Sequence, residues 1–304
     1  MRVLTSVSLI GVPTDIGAST IGARMGPEAM RVAGIAQAIA QFGIDVKDCG
    51  NLLGPPNPQQ EAVDGFRHLP EAIQWNQLVH DAVYAELQQQ RVPIMLGGDH
   101  SLAIGSISAV ARHCRETGKK LRVLWFDAHA DFNTAAITPT GNIHGMPLAC
   151  LCGLGPPELI GMSGVVPALD VKSICQIGVR SVDAGEQKLL HTMGIEVFDM
   201  RFINRHLMQT TMLQALYTLD ADTHLHVSLD VDFLDPDLAP GTGTLVPGGP
   251  TYREAHMCME MIAASGRLSS LDIVELNPAL DVRSQTAELA VELIQSMFGK
   301  SDLS

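Results

Sequence analysis

Apolar runs in this chain end repeatedly in acids or histidine, and that pattern constrains the fold more than any other feature. Met95-Leu96-Gly97-Gly98 leads into Asp99-His100, and Leu124-Trp125-Phe126 leads into Asp127-Ala128-His129-Ala130-Asp131. Val227-Ser228-Leu229 leads into Asp230-Val231-Asp232, Ile177-Gly178-Val179 into Arg180 and Asp183, and Ile273-Val274 into Glu275-Leu276-Asn277. The apolar runs predict strands at 7–12, 93–96, 121–126, 173–178, 225–229 and 271–274. Helical patterns fall at 26 to about 42, 69–89, from 101 onward, 185–194, 208–219, 251–265 and 284–298. Buried strands separated by helices predict an α/β fold with a mostly parallel sheet covered on both faces. No repeat or linker divides the chain, so residues 1–304 read as one domain, with loops at 50–58, 139–167 and 239–250. Ligands of such sheets bind beyond the carboxyl ends of the strands, so these polar groups should converge on one cleft.

Charge narrows the partners. The net charge is −13, from 33 acids and 20 bases, with no Lys/Arg run. A nucleic-acid binder needs a basic stripe, so nucleic acid is excluded; the acidic excess suits small cationic ligands, and on charge alone it reads first as simple solubility. The six cysteines, Cys49, Cys114, Cys150, Cys152, Cys175 and Cys258, include no C-x-x-C pair, and read as buried, reduced thiols. Met1 to Val7 leads into a strand pattern, unlike a signal peptide, and no apolar stretch reaches the length of a membrane span. The expectation is a soluble cytoplasmic protein without a membrane partner.

The strand-end acids point to metal. Asp127, His129 and Asp131 recur with period two, which places them on one side of an extended backbone, and Asp230 and Asp232 repeat the device. Carboxylates crowded in this way would repel one another and take up protons, unless divalent cations neutralise them. With His100 they form a set of two imidazoles and four carboxylates, which suits Mn²⁺ among several divalent metals. Six side chains for two ions require shared carboxylates, and a water bridging such a pair is acidified towards hydroxide. A single D-x-H or D-x-D is common on exposed loops; the three together, each after an apolar strand, are specific.

At these residues the sequence resembles the arginase/agmatinase (ureohydrolase) family, of the bacterial type. The matching stretches are Gly97-Gly98-Asp99-His100-Ser101, Asp127-Ala128-His129-Ala130-Asp131, and Ser228-Leu229-Asp230-Val231-Asp232 followed by Leu234-Asp235-Pro236. The similarity runs from Gly11 to about Pro278. It implies a three-layer α/β/α, arginase-like fold and two Mn²⁺ per chain. One ion would be held by His100, Asp127, Asp131 and Asp230. The other would be held by Asp127, His129, Asp230 and Asp232, so that Asp127 and Asp230 bridge. The loop carrying Asn133, Thr138, Thr140 and Asn142 resembles the arginase branch, where amides and hydroxyls take an amino acid's α-carboxylate. Thr140 stands where serine is usual. Asp183, with Glu186 close by, matches the receptor of the α-ammonium, and Ser181 stands where the family has an acid. Glu186 reads equally as a helix N-terminal acid favoured by the dipole. Thr244 matches a substrate-side hydroxyl, and Glu275 the acid that pairs with the guanidinium.

The resemblance implies hydrolysis of L-arginine to L-ornithine and urea, by attack of the bridging hydroxide on the guanidinium carbon. Asp131 would accept the hydroxide's proton and protonate the leaving amine, His144 would shuttle protons to solvent, and Glu275 would orient the cation. Alternatives are a ureohydrolase of another guanidino compound, such as agmatine or guanidinobutyrate, a homologue that binds metal without catalysis, and a mononuclear zinc deacetylase-like enzyme. Family resemblance also implies a homotrimer or homohexamer.

Overall fold

The computed structural model describes residues 5–300, so the reading of Met1 to Leu4 as the lead into the first strand lies outside the described residues. Eight strands form one sheet: β1 (Ser6–Gly11), β2 (Asp45–Asn51), β3 (Val92–Leu96), β4 (Lys120–Phe126), β5 (Ile174–Ile177), β6 (Glu196–Phe198), β7 (Thr223–Asp230) and β8 (Leu268–Val274). Their order is β2-β1-β3-β8-β7-β4-β5-β6. Every pairing is parallel, which goes further than the mostly parallel sheet expected.

The two faces of the sheet are covered by different helices. Leu225, Val227 and Leu229 of β7 pack, with Leu271 and Ile273 of β8, into a core shared with α10 (Tyr252–Ser265) and α11 (Gln285–Met297). The short helices α1 (Gly26–Val32), α2 (Ile35–Ala40) and α9 (Met208–Leu216) join that layer. On the other face, Ile10 and Met95 pack beneath α3 (Leu69–Gln88) and α4 (Ala103–Thr117). Val123 and Trp125 of β4 pack there too, with α4, α5 (Pro147–Leu151) and Leu190 of α7 (Ala184–Met193). Helices α6 (Pro157–Ile160) and α8 (Met200–His206) complete the set.

Alternation along β7 sorts its side chains. From Leu225 on the odd positions are apolar, whereas His224, His226, Ser228 and Asp230 all turn to the α4 face, because side chains two apart share a face. There Ser270 Oγ lies 2.9 Å from His224 Nε2 and 2.8 Å from His226 Nδ1, and Ser106 of α4 donates to Asp272 at 2.6 Å. A polar stripe therefore crosses the core and ends at the strand-end acids.

Several expectations need correction. The helix expected over 26 to 42 is two pieces, because Gly34 adopts the left-handed conformation (φ 86°) between them. Strands β2 and β6 and helix α8 were not foreseen, and the loop at 139–167 contains α5 and α6. Cys49, on β2, is exposed; the other five cysteines are buried, and all six are free thiols. Among the described residues, no helix is long and apolar enough to cross a membrane.

Candidate metal centre

Register brings the strand-end acids together. Phe126 pairs with Leu229, so the next residues, Asp127 and Asp230, leave adjacent strands side by side. β8 pairs Ile273 with Leu229 on one side and with Leu96 on the other, which brings Glu275 near the turn that follows β3. That turn is tight. A Cβ on Gly98 would lie 1.6 Å from the Thr14 carbonyl oxygen, so only glycine fits. His100 follows at once, and its N–H donates to Glu275 Oε1 at 2.8 Å.

Two groups of ligand-type atoms result. His100, Asp127 and Asp230 offer atoms all within 4.8 Å of one another, as do Asp127, His129 and Asp232, so Asp127 belongs to both. His100 Nδ1 stands 3.1 Å from carboxylate oxygens of Asp127, Asp131 and Asp230. His129 Nδ1 stands 3.0 Å from Asp232 and 3.4 Å from Asp127. Asp131 adopts a left-handed backbone (φ 50°), which directs its carboxylate back towards His100.

Neighbouring groups fix these side chains. Ser228 Oγ is 2.8 Å from His100 Nε2, so with Nε2–H given to serine, Nδ1 is left as a ligand atom facing the acids. Trp125 donates to Asp127 Oδ2 at 2.9 Å and stacks on the His100 ring, 4.0 Å between centroids and 4° between planes. Asp127 Oδ1 accepts from His129 N at 2.7 Å, Asp230 Oδ1 from Asp232 N at 2.8 Å, and Asp232 Oδ1 from Ala128 N at 3.1 Å. Thr244 donates to Asp232 Oδ2 at 2.9 Å.

The electrostatics call for cations. Asp127, Asp230 and Asp232 are all at most 2% exposed. Burial, then the Asp127 charge, pushes the Asp131 carboxyl up to about 7. Burial and the neighbouring acids raise Asp230 well above the carboxylate range. Burial opposes charge on His129, but Asp232 and Asp127 hold its imidazolium up to about 12. The carboxylates thus draw in whatever positive charge is available, and divalent ions meet that demand. Four carboxylates and two imidazoles without a thiolate make a donor set that fits Mn²⁺.

The predicted substrate residues gather in front of this cluster. A cavity of about 300 Å³ is lined by His100, His129, Asp131 and Asp230, and by Asn133, Thr138, Thr140, Asn142, His144, Asp183, Glu186, Thr244 and Glu275. Asp127 and Asp232 are not on its wall and reach it through the two histidines. His144 Nδ1 is 2.9 Å from Glu275 Oε1. Burial works against charge on His144, but Glu275 raises its pKa to about 9. Asn133 Nδ2 donates to Asp183 at 3.2 Å. Glu186 does serve as a helix-start acid, completing a capping box with Asp183, and its other oxygen accepts from Phe132 N at 2.7 Å. A larger depression of about 570 Å³ lies beside α11, away from these groups.

Sequence reasoning missed part of the wall. Ser19, Pro139 and Gly145 also line the cavity, and Ser181 does so where an acid was expected. Trp125 and Ser228 were legible in principle, since each precedes a candidate ligand aspartate by two residues on the same strand face. Ser19 carried no such signal.

Known proteins match this arrangement. The Arginase family model matches residues 5–299. The arginase of Brucella melitensis is 43% identical over 299 residues, covering 96% of each chain. The native structure of the arginase of Bacillus caldovelox superposes with a TM-score of 0.92 at 40% identity, covering 98% of this chain and 99% of that one. With strand-end acids, paired imidazoles and these relatives in agreement, the chain belongs to the arginase family and is a hydrolase acting on linear amidines.

Proposed function

We propose that the chain hydrolyses L-arginine to L-ornithine and urea with two Mn²⁺ ions. The observation that carries this reading is the cavity itself. Its floor is the carboxylate–imidazole cluster, its sides carry Glu275, Asp183 and Glu186, and its rim carries the amides and hydroxyls of Asn133, Thr138, Thr140 and Asn142. A cationic guanidinium, an α-ammonium and an α-carboxylate each find a complementary partner. Agmatine lacks the carboxylate and would leave that rim unused.

His100, Asp127, Asp131 and Asp230 would hold one ion, and Asp127, His129, Asp230 and Asp232 the other, with Asp127 and Asp230 shared. Bound there, the ions supply an acidified water as nucleophile. Glu275 orients the guanidinium so that its carbon faces that water. Asp131, on the cavity wall beside His100, takes the proton given up by the attacking water and returns it to the leaving amine. His144, 17% exposed and beside Glu275, passes protons between site and solvent. Asp183 and Glu186 receive the α-ammonium, and Thr244 holds Asp232 from the substrate side. The single sheet through the described residues supports reading 1–304 as one catalytic domain. A homotrimer or homohexamer in the cytoplasm is the assembly this reading expects.

Urea release from L-arginine, agmatine and 4-guanidinobutyrate tests the reading. Turnover of arginine should exceed the other two by at least about a hundredfold in kcat/KM, the scale of losing buried charged hydrogen bonds. Equal or faster turnover of agmatine would reject it. Metal analysis showing one bound ion in the active protein would reject the two-ion assignment.

A further inference from the structure

Hydrogen-bond accounting at the cavity rim singles out a residue with no assigned role. Thr138 Oγ1 accepts from the N–H groups of Thr140 (3.3 Å) and Gly141 (3.0 Å). Thr140 Oγ1 accepts from Asn142 N at 3.2 Å. Neither hydroxyl proton has an acceptor among the described residues. Beside Asn142, on the loop between β1 and α1, Ser19 is in the same state, and the reason is a fixed amide.

Arg67 determines that state. A guanidinium can only donate, and Arg67 Nε lies 2.8 Å from one end of the Asn142 amide, which must therefore be the oxygen. The amide's NH₂ end then faces Ser19 and donates to its Oγ at 3.0 Å. Ser19 is thus an acceptor within the protein and keeps its proton for another partner. Arg67 is itself well anchored. Its side chain is 14% exposed, its N–H donates to Gly141 O at 2.8 Å, and Nη1 donates to Gln60 O at 2.8 Å. Reversing the Asn142 amide would set its NH₂ against the guanidinium, two donors face to face, so the arrangement has one stable sense.

Three hydroxyls from two chain segments lining one cavity therefore present protons without acceptors, a pattern that matches an anion. We propose that Ser19 is a substrate-binding residue that donates to the α-carboxylate of the guanidino amino acid, and that Arg67 is the positioning residue that keeps the Ser19 proton for that use. The proposal rests on the arginine reading. It adds a contact from a second segment of the chain, beside Asn142, and a decarboxylated substrate loses that contact as well.

Ser19→Ala is the test, because the side chain is exposed and its truncation leaves the core untouched. KM for L-arginine should rise about threefold to tenfold, the effect of one solvent-accessible hydrogen bond to a charged group, while kcat changes far less. Calorimetric binding of L-ornithine should weaken by the same factor, and binding of putrescine, the same diamine without a carboxylate, should not change. Ser19→Thr, which keeps the hydroxyl, should restore ornithine binding. Arg67→Met, which removes the donor that fixes the Asn142 amide, should weaken ornithine binding in the same direction, and the double variant Ser19→Ala/Arg67→Met should be no weaker than the worse single variant. Ornithine binding unmoved by Ser19→Ala, or ornithine and putrescine weakened alike, would overturn the proposal. The arginine reading fails separately, if the unaltered chain releases no urea from L-arginine, because the ornithine measurement does not depend on turnover.

Discussion

Replacing Trp125 by phenylalanine separates the support of the metal cluster from the cluster itself. The indole is fully buried, its N–H is the donor to Asp127 Oδ2 at 2.9 Å, and its ring lies flat on His100. Phenylalanine keeps an aromatic face for the stack but removes the donor. A lost hydrogen bond to a charged group costs about 1.5–3 kcal/mol. The smaller ring leaves roughly 40 Å³ unfilled, which adds about 1 kcal/mol at about 24 cal/mol per Å³. Unfolding free energy of the Mn²⁺-loaded protein should therefore fall by about 2.5–4 kcal/mol. Mn²⁺ affinity should fall about tenfold to a hundredfold, since Asp127 is shared by both ligand groups and loses the partner that orients it.

Chemical denaturation with and without Mn²⁺, with calorimetric titration of the ion, reads both quantities. A matched control is Phe198→Leu, a buried aromatic on the edge strand β6 that packs in a different core from Trp125, which should cost stability and leave Mn²⁺ affinity unchanged. If Trp125→Phe binds Mn²⁺ within twofold of the unaltered chain, the indole does not orient Asp127 and the reasoning fails.

Three further outcomes follow from the same structure. His144→Ala should lower kcat by about a hundredfold or more, the usual contribution of a proton-transfer group, with metal content retained; an unchanged kcat removes His144 from the chemistry. Arg180 donates to the carbonyls of Gly178, Asp232, Phe233, Leu234 and Val246 at 2.7–3.2 Å, and lysine cannot satisfy all five. Arg180→Lys should lower unfolding free energy by about 2–4 kcal/mol, through carbonyls left unpaired, and a loss below about 0.5 kcal/mol in denaturant titration would refute this. Glu86 is buried, and burial alone would raise its pKa, but Lys47 and Ser8, each at 2.6 Å, hold it below the usual carboxylate value. A depressed pKa gives stability that is present above the unfolded value of about 4.3 and lost as pH falls through the folded value. Glu86→Gln should thus lower stability by about 1–2 kcal/mol at pH 7, with the gap closing below about pH 4; a gap constant with pH contradicts the ion pair.

Much of this was legible in sequence, for physical reasons. A central parallel strand is buried on both faces, so β3 and the second half of β4 appear as apolar runs, whereas β7 and β8, equally buried, show apolar residues interrupted by the polar ones of the stripe. β2 is an edge strand with nearly every residue exposed, and Asp45-Val46-Lys47-Asp48 therefore reads as a polar loop. β6, the other edge, has three residues, too few to show a period. The aspartates and histidine that gather in the two candidate ligand groups at the ends of β4 and β7 were legible because period two is a property of one strand. Ser19 and Arg67 were not, because their partners lie on other segments, 123 and 75 residues away; Arg180 was read as a strand-end group of the cleft, but it does not line the cavity and four of its five carbonyl partners lie 52–66 residues away. Sequence spacing carries no trace of such contacts.

One feature of the site runs against local preference and explains why so many contacts surround it. Asp131 (φ 50°) and Glu275 (φ 64°) both adopt the left-handed conformation, which side chains with a Cβ disfavour. Glycine would relieve each position, yet it would remove the carboxylate. The cost, of order 1 kcal/mol each, persists only where surrounding structure holds the residue in place. Glu275 is held at both ends: its N–H donates to Gly98 O at 2.8 Å, and its Oε1 accepts from His100 N and His144 Nδ1. Asp131 is held by its carbonyl, which accepts from Leu148 N at 3.1 Å, and by its carboxylate beside His100. Strain at these two residues is thus what turns acids at strand ends back over the sheet, into the space where Asp127 and Asp230 already point. A straight continuation of either strand would carry the carboxylate past the cluster, and the cavity would lose the acid at its floor or the acid at its side.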